Sequence, residues 1–75
     1  MKKAMIIKKG TEFINENMVM FKITEKYYDN FRCERYSFNF DTEEFELVND
    51  YEVITASEVA HLAGVKKVIW EEDEE

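Results

Sequence analysis

Carboxylates dominate the chemistry available to this 75-residue chain, with seventeen Asp and Glu against ten Lys and Arg and a net charge of −7. Two of them held close together would serve as a glycosidase-like acid pair or as oxygen ligands for a cation. Their spacing singles out no such pair. The other reactive groups stand alone: His61 is the only histidine and Cys33 the only cysteine, which leaves neither a zinc ligand set nor an internal disulfide. The nearest hydroxyls to His61 in sequence, Thr55 and Ser57, fall at an expected helix start and are explained as caps. Gly10 and Gly64 are the only glycines, so a glycine-rich phosphate loop is absent. We therefore expect a non-enzymatic protein without cofactor or metal.

The carboxylates are unevenly placed. Residues 1–40 carry eight basic and five acidic groups, a net +3, whereas residues 41–75 carry only Lys66 and Lys67 against twelve acidic groups, a net −10. Asp41, Glu43, Glu44, Glu46, Asp50 and Glu52 gather around one expected hairpin, and Glu71, Glu72 and Asp73 open an acidic tail. Net charge of this size keeps a small domain dispersed, which accounts for the tail. It accounts less well for the hairpin. A sheet that displays carboxylates at strand spacing imitates a phosphate array and suits a basic, nucleic-acid-binding surface on another protein.

Hydropathy places the elements that must carry these groups. Ala4 to Lys9 and Glu12 to Ile14 read as one or two short strands, with turns at Gly10 and at Asn15 to Asn17. From Met18 the alternation is regular, with Val19, Phe21 and Ile23 on one face and Lys22, Thr24 and Lys26 on the other. Asp29-Asn30 suits a tight turn. Phe31 to Phe40 alternates again, placing Tyr36, Phe38 and Phe40 together; a bulge near Phe31 and Cys33 would bring those two into phase. Phe45, Leu47, Tyr51 and Val53 continue with period two, and Asn49-Asp50 is either a turn or an interruption in a longer strand. Residues 18–54 thus form an antiparallel meander, since the connections are too short for parallel crossovers.

At Thr55 the period changes. Thr55-Ala56-Ser57-Glu58 matches a capping box, Ala56, Val59, Ala60 and Ala63 follow at helical spacing, and Gly64 stands where the helix would end. Val65 to Trp70 is expected to be the last strand. Ile54 to Val65, twelve residues, resembles the first helix and turn of the helix-turn-helix in MerR-like and LacI-like regulators. That resemblance implies a following recognition helix rich in Ser, Arg and Lys. Here Lys66-Lys67-Val68-Ile69-Trp70 and five carboxylates follow instead, and carboxylates facing phosphate would repel it. We read the segment as a capped helix packed on a sheet.

The predicted fold is α+β: a twisted antiparallel sheet of about five strands, compatible with an SH3-like half-open barrel, with one short helix over residues 56–63 before the last strand. Residues 1–70 make one small domain and residues 71–75 a disordered acidic tail. The lone cysteine and the absence of a long apolar run point to a cytoplasmic protein. Lys22, Lys26, Arg32 and Arg35 beside the aromatic residues suggest a base-stacking platform as the alternative function, but so short a chain is expected to use its rings as core. Small, acidic, aromatic-rich chains of this kind resemble, in general character, phage-encoded inhibitors of host nucleases and defence systems. The expected function is accordingly an inhibitor whose acidic face binds a basic protein surface, with self-pairing through an unprotected edge strand as a further expectation.

Overall fold

The computed structural model describes residues 3–71. Six strands and one helix follow in order: β1 (Ala4–Ile7), β2 (Glu12–Ile14), β3 (Val19–Tyr27), β4 (Asn30–Asn39), β5 (Glu44–Thr55), α1 (Ala56–Ala63) and β6 (Lys67–Trp70). The α+β class and the antiparallel meander are as expected, with β2-β3-β4-β5 forming one four-stranded sheet. The first and last strands form a separate two-stranded sheet whose pairing is parallel, Ile6 opposite Ile69 and Ile7 opposite Trp70. No closed barrel forms among the described residues. The strand count is one higher than expected because β1 and β2 are distinct and belong to different sheets.

Helix α1 forms where its caps dictate. Thr55 Oγ1 accepts the Glu58 N–H at 3.1 Å and Glu58 Oε1 accepts the Thr55 N–H at 3.1 Å, satisfying two donors that the first helical turn leaves free. Gly64 closes the other end at φ 73°, in the left-handed region open to glycine, and its N–H reaches back to the helix carbonyls.

With so few glycines, the meander turns place other residues at positive φ: Met18 (61°) before β3, Tyr28 (58°) between β3 and β4, and Glu43 (62°) before β5. Each such residue costs about 1–2 kcal/mol in backbone strain. Asparagine side chains offset this at two of the turns. Asn15 Oδ1 accepts the N–H groups of Asn17 and Val19, and Asn39 Oδ1 those of Asp41 and Thr42. The β3-β4 turn is Tyr28-Asp29, one residue earlier than the sequence suggested. Asn30 is held within the ladder by pairing with both Tyr27 and Thr55.

The bulges decide which side chains meet. One extra residue sits on β3 at Thr24, whose hydroxyl donates to the Arg32 carbonyl, and two sit on β5 between Leu47 and Glu52. Asn49-Asp50 is therefore an interruption within one continuous strand, whereas β4 itself carries no extra residue. Without the bulge expected near Cys33, β4 keeps its phase. Phe31, Cys33 and Arg35 point to one face, and Arg32, Glu34, Tyr36 and Phe38 to the other.

Only the first of these faces is covered. Helix α1 and the β1-β6 pair pack on it, enclosing Ile7, Phe13, Ile23, Phe31, Cys33, Ile54 and Val59, with Trp70 against Phe31 at 5.7 Å between ring centroids. The assignment of Tyr36, Phe38 and Phe40 to the core is thereby corrected. None joins the core cluster, and Phe40 is 73% exposed. Phe45, Leu47, Tyr51 and Val53 share the open face with them, so the strand β5 residue in the core is Ile54.

Candidate interaction surface

The structure gathers four of the nine carboxylates singled out from the sequence and places Asp50, Glu52 and Glu71 apart from them. Asp41 and Glu43 lie in the turn joining β4 to β5, and Glu44 and Glu46 open β5 opposite Asn39 and Ser37. All four are exposed. The turn is held by the Glu43 N–H on the Asn39 carbonyl at 2.6 Å, and Glu46 is steadied by the Asn39 amide at 3.0 Å. Asp50 sits exposed in the irregular stretch of β5. Glu52 is half-buried on the covered face, where it lies 3.0 Å from Arg35 Nε and accepts a hydrogen bond from Asn49. The Arg35 contact is off-axis for a hydrogen bond and acts as an ion pair. Glu71 follows β6, its N–H donating to the Ile7 carbonyl, and Glu72 and Asp73 lie outside the described residues.

The hairpin tip also carries rings. Phe38 meets Phe40 at 4.9 Å and Phe45 at 5.0 Å between centroids, both edge to face. The tip projects past β3, whose last partner on β4 is Ser37. Phe40 therefore stands exposed at the tip, on the side of Phe38 and Phe45. Glu44 and Glu46, opposite Asn39 and Ser37, point to the other side, and Asp41 and Glu43 lie in the turn between. Alternation marked these rings as aromatic and alternating, which is also how core residues read; what set them outside was the unbroken phase of β4.

Farther along the open face, the Arg32 guanidinium lies over Tyr27 (4.4 Å) and Tyr51 (4.8 Å) and pairs with Glu25 at 2.6 Å. Lys22 has Glu12 and Glu34 as its ladder partners. Tyr36 donates its hydroxyl to Glu34 Oε1 at 2.7 Å, and that bond to a carboxylate raises the Tyr36 pKa above its ordinary value. The four cations expected to line a groove do not share one surface, since Arg35 points to the covered face while Lys22 and Arg32 point to the open one.

A concavity of about 500 Å³ lies between α1 and the covered face, with Phe21, Ile54 and Leu62 as its floor and Glu52, Ser57, Glu58 and His61 at its polar side. His61, the lone histidine of the sequence, is exposed at this mouth. Both carboxylates there already hold structural partners, Glu58 the helix cap and Glu52 Arg35. Among the described residues, no three His, Cys, Asp or Glu side chains group as a metal site, and no helix is long and apolar enough to cross a membrane. Burial, with Glu52 nearby as a lesser cause, pushes the Cys33 thiol up to about 11, so it stays protonated and unreactive at neutral pH. No family model matches the chain, and no curated protein or solved structure matches it.

Proposed function

We propose that this chain is a non-enzymatic interaction protein that engages a basic, nucleic-acid-binding surface of another protein through the tip of its β4-β5 hairpin. The observation that carries this reading is Phe40, 73% exposed and edge-packed on Phe38, at the tip of a hairpin that carries four exposed carboxylates, Asp41, Glu43, Glu44 and Glu46. An aromatic anchor with a charged rim is the arrangement that concentrates binding energy at protein interfaces. The carboxylates speed the encounter and set partner choice, and the ring enters an apolar recess. By occupying a site that would otherwise bind phosphate, such a tip acts as an inhibitor.

The test is affinity capture from cell lysate at low and high salt, with wild-type protein, a Phe40→Ser variant and a triple Glu43→Lys, Glu44→Lys, Glu46→Lys variant. Capture of a basic protein by wild type at low salt is expected, weakening as salt shortens the screening length. Both variants should lose it. Undiminished capture by the triple variant would sink the reading.

One observation favours the nucleic-acid alternative: Tyr27 and Tyr51 flank Arg32 on a solvent-facing sheet. Its own surroundings oppose it, because Glu12, Glu25 and Glu34 face the same side as Lys22 and Arg32. A single-stranded DNA or RNA titration at low salt separates the two readings; binding lost in Arg32→Ala would establish the alternative.

A further inference from the structure

Beyond the hairpin tip, the open face of the four-stranded sheet also presents exposed apolar side chains. Met20, Tyr36, Leu47, Tyr51 and Val53 lie on it, with Leu47 52%, Tyr51 55% and Val53 41% exposed. A soluble monomer seldom presents a contiguous apolar patch larger than a few hundred Å². We infer that this face packs against the same face of a second copy of the chain, sheet on sheet about a two-fold axis.

Charge argues for a second copy over other occupants. The chain carries −7 overall, yet the charged groups on this face are nearly balanced, Lys22 and Arg32 against Glu12, Glu25 and Glu34. A polyanion meets three carboxylates there and a basic protein meets two cations. Across a two-fold axis, by contrast, the cations of each copy can face the carboxylates of the other, which is the self-complementarity that an isologous interface requires. The strongly acidic tip overhangs β3 and stays clear of the contact, so the self-repulsion of two acidic chains is least in this arrangement.

Area supports the same occupant. At a rise of about 3.3 Å per residue and a strand spacing of about 4.8 Å, the four strands offer a footprint of roughly 500 Å² per copy. Two such faces bury about 1,000 Å² in total, the lower bound for a specific association. The dimer is therefore a weak, concentration-dependent one. Edge pairing through β5 is the competing geometry, but an antiparallel match there would set Glu44, Glu46, Asp50 and Glu52 of the two copies near one another, and the bulges between Leu47 and Glu52 disrupt the edge.

Sedimentation equilibrium of the full chain from the micromolar to the millimolar range tests the inference. The average mass is expected to rise from one chain to two. Leu47→Lys and Tyr51→Lys should each move the midpoint to higher concentration by roughly tenfold, an interface effect of ordinary size. Ile69→Ser, on the outward side of the β1-β6 pair, should leave it unchanged. Both lysine positions are more than half exposed, and circular dichroism melting confirms that each variant folds; if one does not, the other carries the test. A single-chain mass at every concentration overturns the proposal, as does self-association that neither folded lysine variant weakens. Slowed exchange of the outward β5 amides at high concentration also overturns it, because that is the signature of edge pairing.

Discussion

The two ends of strand β4 are built from the same kinds of residue and do opposite things. At one end Phe31 and Cys33 are 2% and 1% exposed, under α1 and Trp70. At the other, Phe38 packs edge to face on Phe40 and Phe45, on the side of the sheet away from the helix. Both ends alternate with period two. What differs is the face, since Phe31 and Cys33 point to the side that α1 and the β1-β6 pair cover and Phe38 and Phe40 to the other, so burial in this fold is set by strand phase. Apolar character on the uncovered face is available for contact.

The sharpest way to break this comparison is to truncate a ring at each end. Phe31→Ala should cost about 3–5 kcal/mol in urea unfolding, the usual range for a buried phenylalanine. A loss below about 1 kcal/mol would mean that the covered end is not the core. The next largest effect concerns pH. The Cys33 thiol rises from 9.0 to about 11 in the folded chain because burial disfavours the thiolate, so its contribution is fully present below pH 9 and lost as pH climbs to about 11. The loss amounts to about 2–3 kcal/mol across that window and should vanish in Cys33→Val, measured as urea midpoints at each pH. Removing the cap with Thr55→Ala should cost about 1 kcal/mol, since the Glu58 N–H loses its partner at the start of the covering helix. Smallest of all, Phe40→Ser at the uncovered end should change stability by less than about 0.5 kcal/mol in the same assay. A larger loss from Phe40→Ser would merge the two ends into one structural class and remove the tip from the binding argument.

How much of this was legible in the sequence follows from how local each signal is. The helix was readable to the residue because Thr55, Glu58 and Gly64 act within a few positions of one another. The meander was readable from alternation and short connections. The bulges were not, because nothing in Thr24 or in Val48 to Tyr51 marks the backbone that inserts an extra residue. Misplacing the bulge on β4 put Tyr36 and Phe38 on the wrong face, since one residue of register reverses a strand. The parallel pairing of β1 with β6 left no sequence trace, as it joins residues more than sixty positions apart. Of the site, the carboxylates at 41, 43, 44 and 46 were identifiable from charge, whereas the exposed ring at the same tip required knowing the phase of β4.

That pairing has a mechanical side. Because β1 and β6 run parallel, a force applied at the two chain ends pulls β1 backward and β6 forward along their shared axis. The rungs from Ala4-Lys67 to Ile7-Trp70 are then loaded together, in shear, instead of opening one after another as in a hairpin pulled at its mouth. Stretched end to end, this small domain should resist as a clamp whose yield force is set by four residue pairs, and the meander behind it stays unloaded until the clamp gives.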